Sequence, residues 1–415
     1  MLDLKAIRND PEPALAALAR RKDGSDARLR EALELDVRRR EILPRSEQLS
    51  AEQNTANDAI AEAKRAGAGA DEAIARMRTV AAESKRLKEE LARTEDLLAG
   101  VLAQVPNPPD ATAADEDSEI RRWGDPLPEG RDHLELAGEL IDMEAGARLS
   151  GSRFAYLKGD LVMLELAIVQ YMMNKLGGLG FTPVIPPVLV RERALFGTGF
   201  LPDTEQQIYR LADDDLYLTG TSEVALAGLH DGEILEAEDL PLRYAGFSPC
   251  FRREAGAAGR DTQGIFRVHQ FEKVEMFVFT APEHSAEEHE RILGIEESVM
   301  QDLGLPYRVV NIAVDDLGAS AAKKYDIEAW LPSQQQYREL TSCSNTTDYQ
   351  ARRLNTRIRS AGGGPPRTAH TLNGTAAALG RTIIAILENH QETDGTVKVP
   401  DVLTHFGAPA TIGGT

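Results

Sequence analysis

Between residues 27 and 103 the chain almost lacks strand-forming and aromatic residues, and its apolar positions recur at the three- and four-residue spacing of helices packed along a seam. The later part of this stretch carries Met77, Val80, Ser84, Leu87, Leu91, Thr94, Leu98 and Val101. The earlier part carries Leu35, Ile42, Leu49, Ala56 and Ala63 at every seventh position. AKRAGAGADEA interrupts the pattern, with Gly67 and Gly69 placed to end one helix and Asp71 placed to cap the next. So short a link implies an antiparallel hairpin, and at about 1.5 Å per residue it reaches roughly 50 to 60 Å. Pro44 falls inside the first helix, where its ring opposes the preceding turn, so a kink or break is expected there. VPNPPDATAADEDSE, residues 105–119, holds three prolines and an acidic run and reads as a linker.

From about residue 120 the pattern changes to helices mixed with short β-rich runs. Asp160 can cap the apolar helix LVMLELAIVQYMMNKL, which Gly177 and Gly178 close. Strand candidates follow in GFTPVIPPVLV, DDLYLTGTSEVALAGL, LRYAGFSPCFRRE, GIFRVHQFEKVEMFVFT, YRVVNIAV, YDIEAWLP and QYRELTSCSN. Segments 242–254 and 265–279 flank one polar, glycine-containing loop and are expected to be neighbouring antiparallel strands. HFGAPATIGGT reads as a mobile end. With 415 residues, two domains are expected: 1–104, then the linker 105–119, then 120–415.

Charge changes this picture in one place. The net charge of −20 argues against a general nucleic-acid coat, yet residues 27–103 hold 14 Lys/Arg against 15 Asp/Glu, a net of −1. A polyanion could approach that hairpin; its heptads equally suit self-association. MLDLKAIRND shows no basic segment followed by an apolar one, and no uncharged run of about 18 apolar residues occurs, so a cytoplasmic protein without membrane contact is expected. Cys250 and Cys343 are too few for a four-thiolate metal site and are expected to be reduced. The histidines are scattered, with His284 and His289 on an acidic helix expected to be exposed, so no structural zinc is expected. The glycine-rich strand-to-helix signatures of P-loop and dinucleotide sites are absent.

Four groups could carry chemistry. Thr221 and Glu223 lie two apart in LTGTSEVAL and could share one side of a strand end. Arg252 and Glu254 stand in the same relation in FRRE, which fits either a cross-strand ion pair or ligand contacts. Along a strand, positions 267, 269, 271, 273 and 275 point one way, so Arg267, Phe271 and Glu275 would present a cation, an aromatic plate and a carboxylate on one face. NGTAAALGRTIIAILENHQ places Asn373 and Thr375 at a helix start and Arg381 within an apolar helix, where a guanidinium demands an anion. Together these favour a ligand bearing both phosphates and an ammonium group.

Over nearly its full length the chain resembles the bacterial-type seryl-tRNA synthetases, a family of class II aminoacyl-tRNA synthetases. Gly180-Phe181, Val184 and Pro187 in GFTPVIPP are similar to the family's first motif, which lies at a dimer interface. FRREAGAAGRDTQGIFRVHQFEKVEMF resembles the second motif and LNGTAAALGR the third. LTGTSE, KYDIEAWLP and ELTSCSNTTDYQARRLN are similar to blocks particular to seryl-tRNA synthetases, and MLDLKAIRNDPE with the hairpin resembles their N-terminal domain. The resemblance implies an α+β fold: a mixed, mainly antiparallel β-sheet catalytic domain flanked by helices, with the N-terminal hairpin as an arm. It also implies a homodimer formed through the catalytic domain, and partners ATP, L-serine and serine tRNA, the arm reaching the long variable arm and elbow of that tRNA.

By the same resemblance Phe271 stacks on adenine and Glu254 reads its amino group, Arg252 holds the serine carboxylate and the α-phosphate together, and Arg267 and Arg381 bind the phosphate tail. Thr221 and Glu223 receive the serine ammonium, Glu275 and Thr375 bond the hydroxyl, and Asn373 belongs to the same pocket. Glu339 and Ser342 hold Mg2+ with ATP, which requires a bulge or turn, because strict alternation puts them on opposite faces. The loop AGAAGRDTQG would close over ATP or the tRNA acceptor end. Alanines in NGTAAALGR, the threonine that opens TSCSN, and Pro44 depart from common family forms and leave room for a specialised paralogue, one that supplies seryl-tRNA to a biosynthetic pathway or confers inhibitor resistance. An amino acid:carrier protein ligase is disfavoured by the hairpin, and a non-catalytic tRNA-binding protein by the intact arginine and glutamate set.

Overall fold

Helix α1 (Ser25–Arg65) and helix α2 (Asp71–Ala103) pair antiparallel: Ala32 packs with Leu98 and Leu102, and further along Ile42 and Leu49 pack with Leu87. The seam positions include two hydroxyl residues, and both Ser84 and Thr94 are buried. Thr94 satisfies its hydroxyl by donating to the Glu90 carbonyl at 2.8 Å, so a polar residue sits at the seam with its proton paired. This computed structural model describes residues 2–66, 71–202, 205–255, 263–359 and 362–413, in two units, Met1–Pro106 and Asn107–Thr415. Gly67 and Gly69, expected to end the first helix, lie outside the described residues.

Of the kink or break expected at Pro44, the break does not occur: α1 runs through this position as one helix. Pro44 and Arg40 are both exposed, so the Arg40 carbonyl that loses its N–H partner can turn to water, while Ile42 and Leu49 on the opposite side hold the helix against α2.

In the second unit, strands β1 (Ser118–Trp123), β2 (Thr182–Val184), β3 (Leu242–Phe251), β4 (Gln270–Thr280), β5 (Tyr307–Asn311), β6 (Lys323–Leu331), β7 (Gln336–Thr347) and β8 (His370–Ala378) form one sheet in the order β1-β5-β6-β7-β8-β4-β3-β2. Every pairing is antiparallel except β2 with β3. Helices α3 (Asp160–Gly178), α5 (Ser285–Asp302) and α6 (Leu379–Asn389) share one core with the sheet, in which Leu164, Ile292 and Ile383 meet Val274, Met276 and Leu372; the short α4 (Glu223–Ala227) packs elsewhere, with Phe277 and Phe279. The alternation in QFEKVEMFVFT explains this division. Val274, Met276 and Val278 face the main core, whereas Phe271, Lys273 and Glu275 face a cleft that closes at Phe277 and Phe279.

Several expectations need correction. Residues 107–119 are not a free linker: the Asn107 amide donates to the Ser320 and Thr346 carbonyls (2.9 and 2.8 Å), Ala114 bridges Ala313, and β1 begins at Ser118. Within the segment expected to be mobile, residues 411 and 412 are held: Thr411–Ile412 pairs with Val397–Lys398 and Ile412 is buried. Asp160 is the first residue of α3 rather than its cap, which is Gly159 at φ 55. His289 is buried instead of exposed, donating from Nε2 to the Cys343 carbonyl at 3.2 Å; burial lowers it to about 4, so it is neutral. Cys250 and Cys343 are free, buried thiols, both raised by burial. Among the described residues no helix is long and apolar enough to cross a membrane.

Replacing Pro44 by alanine restores one N–H donor in an exposed helix interior and is expected to stabilise the hairpin by about 1–3 kcal/mol. Slower amide hydrogen exchange around residues 40–48 would show it; unchanged exchange would mean that the proline is already accommodated without cost.

Candidate active site

A cleft of about 420 Å³ lies on the sheet face opposite α5. All twelve residues singled out in the sequence line it: Thr221, Glu223, Arg252, Glu254, Arg267, Phe271, Glu275, Glu339, Ser342, Asn373, Thr375 and Arg381. Several arrive by routes other than those expected. Glu223 opens helix α4 instead of sharing a strand with Thr221. Asn373 and Thr375 belong to strand β8, and the helix begins only at Leu379. Arg267 precedes β4, so it reaches the cleft from a turn rather than from the strand face that carries Phe271 and Glu275.

Two β-bulges set the wall. In β7 the partner of Ile327 is Thr341 and that of Glu328 is Glu339, so Leu340 is the extra residue. That bulge resolves the parity problem and brings Glu339 and Ser342 to the same cleft. In β8, Val274 opposes Ala377 and Glu275 opposes Thr375, which leaves Ala376 extra and sets Thr375 beside Glu275. Between Asn373 and Thr375, Gly374 faces α5; a Cβ there would meet Ile292 Cγ2 at 2.3 Å and Glu296 Oε1 at 2.9 Å. Only glycine permits so close an approach of helix to strand at this point.

The floor is a buried polar network. Lys273 donates from Nζ to Thr221 Oγ1 at 2.7 Å and forms an ion pair with Glu275. Thr221 Oγ1 also accepts the Glu223 backbone N–H at 3.2 Å and donates to Glu275 Oε2 at 3.3 Å. Glu223 Oε1 accepts from Gln350 Nε2 (2.7 Å) and Asn373 Nδ2 (2.9 Å). Burial, and after it the nearby Glu275, push Glu223 up to about 7, so this carboxyl gains from an added cation.

The rim is basic and aromatic. Arg252 donates from Nε to the Gly220 carbonyl (3.2 Å) and lies over the Phe271 ring, 5.2 Å from its centroid. Arg267 pairs with Glu254 at 2.5 Å, so the ion pair considered for Arg252 and Glu254 instead joins the two strands' ends through Arg267. Glu254 holds φ 49, a left-handed backbone that a non-glycine residue keeps only under surrounding constraint. Arg381 donates to the Glu339 carbonyl (2.8 Å), stands 3.6 Å from its carboxylate, and lies over Phe266 at 4.6 Å. Burial alone would raise Glu339, but Arg381, then Lys324 and Arg252, outweigh it and hold this carboxyl below its ordinary range. An ionised carboxylate beside a serine hydroxyl is a hard-oxygen pair that fits Mg2+. Among the described residues no group of three or more His, Cys, Asp or Glu is arranged to hold a metal, so such an ion would need phosphate oxygens as further ligands. The loop 255–264, expected to close over the site, lies largely outside the described residues.

Sequence reasoning missed Lys273, Gln350, Lys324 and Glu296. The alternation that joined Phe271 to Glu275 passes through Lys273 and signals it. Gln350 comes from the helix Tyr349–Leu354 and is brought in by tertiary packing alone. Glu296, fully buried on α5 behind the sheet, is pushed well above its ordinary range by burial first and by Glu275 and Asp326 next.

The chain matches known families along most of its length. Residues 207–390 match the family described as tRNA synthetase class II core domain (G, H, P, S and T), and residues 1–109 match the seryl-tRNA synthetase N-terminal domain. The chain is similar to a serine–tRNA ligase of Thermobifida fusca, 48% identical over 98% of this chain and 97% of the relative, and to one of Streptomyces coelicolor, 47% identical over 98% and 97%. Its structure is similar to that of a seryl-tRNA synthetase from Pyrococcus horikoshii complexed with ATP, with a TM-score of 0.93, 42% identity and full coverage of both chains.

Because Glu296 is raised in the folded state above the ordinary carboxyl value it has when unfolded, its contribution to stability is complete at low pH and is lost as pH rises. Glu296→Gln, a neutral replacement of similar shape, is therefore expected to gain melting temperature relative to the unaltered chain between pH 5 and pH 8. Parallel pH profiles would contradict the assignment.

Proposed function

This chain belongs to the seryl-tRNA synthetase family, and from that premise we propose that it activates L-serine with ATP and transfers the seryl group to serine tRNA. The observation that carries the reading is the joint placement of three arginines from three separate segments around one cleft whose floor is acidic. A zwitterionic amino acid beside a polyphosphate matches that division of charge.

In the first step the serine carboxylate attacks the α-phosphorus of ATP and pyrophosphate leaves. In the second, the terminal ribose hydroxyl of the tRNA attacks the carbonyl of seryl-adenylate and releases AMP. No protein nucleophile is needed, so the chain's contribution is alignment and neutralisation of phosphate charge. Arg252 bridges carboxylate and α-phosphate, Arg267 and Arg381 take the phosphate tail, Phe271 stacks on adenine and Glu254 accepts from its amino group. Glu223, held by Asn373 and Gln350, takes the ammonium, with Thr221 behind it; Glu275 and Thr375 bond the hydroxyl. Alanine would leave those buried groups unpaired, whereas threonine is refused by lack of room for a methyl, worth about 1–3 kcal/mol. Glu339 and Ser342 would hold Mg2+, which supplies charge neutralisation on the phosphates.

The hairpin supports tRNA rather than a carrier protein as acceptor. Arg78, Lys85, Lys88 and Arg93 are exposed along α2, in a region near neutral within an acidic chain. Homodimerisation through the catalytic unit is supported by an uncovered apolar face: Val162, Met163 and Leu166 on α3 are exposed, as is Ile185 at 84%.

Arg252→Ala is expected to lower serine-dependent pyrophosphate exchange by at least about a thousandfold; near-normal exchange would refute its role. Deleting residues 30–100 is expected to leave exchange within a few fold and abolish tRNA charging; charging that persists would remove the hairpin from tRNA recognition. Since Glu223 titrates near 7 and an ammonium favours its ionised form, the KM for serine is expected to fall as pH rises from 6 to 8. A flat profile would contradict an ammonium on Glu223.

A further inference from the structure

Lys273 has no place in the reaction as described, yet it is 6% exposed and stands at the centre of the amino-acid pocket. It projects from β4 between Phe271 and Glu275, on the face that lines the cleft. Its Nζ reaches Thr221 Oγ1 at 2.7 Å and ion-pairs with Glu275.

The Thr221 hydroxyl is fully engaged by these contacts. It accepts from Lys273 and from the Glu223 backbone N–H (3.2 Å), and it gives its one proton to Glu275 (3.3 Å). A hydroxyl offers two acceptor positions and one donor, so while Lys273 is in place this oxygen cannot accept a substrate ammonium proton. Thr221 then acts as a spacer that joins Lys273, Glu275 and the start of α4. The ammonium is left to Glu223, whose Oε1 is fixed by Gln350 and Asn373.

Charge leads to the same place. Glu223 and Glu275 are 9% and 2% exposed, and ionised together they carry two negative charges against one on Lys273. Buried charge is costly unless paired, so the trio is balanced by one further monocation. Arg252, on the rim, is matched separately by the carboxylate of the incoming amino acid. Resting on the functional reading above, we propose that Lys273 is the positioning and specificity-determining residue of the serine pocket: its ammonium balances Glu275 and locks Thr221, so that the pocket admits one substrate ammonium at Glu223 and presents Glu275 as an acceptor to the substrate hydroxyl.

The groups that set the response of Glu223 to pH are Glu275, which raises it, and Lys273 and Arg252, which lower it; Gln350 also lowers it by hydrogen bonding, and Asn373 donates to the same oxygen. Removing the Lys273 charge moves the pH at which serine binds to a higher value.

The test is serine-dependent pyrophosphate exchange on the full chain, with KM for serine and for ATP measured separately from pH 6 to 9. Lys273→Met is expected to raise the serine KM about tenfold or more at pH 7, to leave the ATP KM within about twofold, and to shift the serine KM profile upward by about one pH unit. Lys273→Arg, which keeps the charge, is expected to recover part of the loss and to return the profile towards its original position. The preference for serine over alanine is expected to fall with Lys273→Met, because Glu275 is no longer held as an acceptor. Should Lys273→Met also lose ATP binding through misfolding, Lys273→Gln carries the same measurements, since its amide keeps a donor for Thr221 without charge. Serine KM, alanine discrimination and pH profile all unchanged in a variant that binds ATP normally would overturn the proposal while leaving the functional reading intact. An unaltered chain without serine-dependent exchange would remove that reading, and this inference with it.

Discussion

Two carboxylates and one ammonium, buried together on a sheet face, fix what this cleft can hold. Glu223, Glu275 and Lys273 are drawn from α4 and β4 and tied through Thr221, and on the proposed reading their joint charge calls for one more small monocation. Around them the arginines supply the opposite sign. On the proposed reading, acid below and base above the same cavity would separate the two ends of a zwitterion and align its carboxylate with a phosphate, so the electrostatics would sort the ligand before any bond changes.

That arrangement depends on a stiff support. The central strands are covered on one face by α5 and its neighbours, and the cleft occupies the other, so the wall cannot yield without disturbing the core. The bulges at Leu340 and Ala376 turn carboxylate, hydroxyl and amide groups inward that a regular strand would distribute over both faces. Gly374 allows α5 to approach closely behind this wall, where burial pushes the Glu296 carboxyl well above its ordinary range and so disfavours a further negative charge. The hairpin, built from a different period, serves a different task, and its near-neutral charge within an acidic chain suits contact with a polyanion.

Much of this was legible in the sequence where a local rule governs it. The heptads gave the hairpin seam, and two-residue alternation joined Phe271 to Glu275. It pointed equally to Lys273, which was passed over because a lysine reads as solvent-facing until its partners are known. Helix α1 continues through Pro44 because the position is exposed, a tertiary circumstance that no local propensity reports. Asn373 and Thr375 read as a helix start because they open the run that leads into the Arg381 helix, whereas pairing with β4 and β7 makes them strand. The helix of His289 is legible in the sequence but its burial is not, and Gln350 enters the site only through the packing that buries it. Charge run and turn chemistry suggested a linker at 105–119, yet Asn107 finds carbonyl partners more than two hundred residues away.

The most direct measurement is pyrophosphate exchange with each of the standard amino acids in turn. Serine should support the fastest exchange, with alanine and glycine slower by about two or more orders of magnitude and threonine slower by about ten- to a hundredfold. Equal exchange with an amino acid that lacks a hydroxyl, or exchange with none, would contradict the account of a pocket built around one ammonium and one hydroxyl.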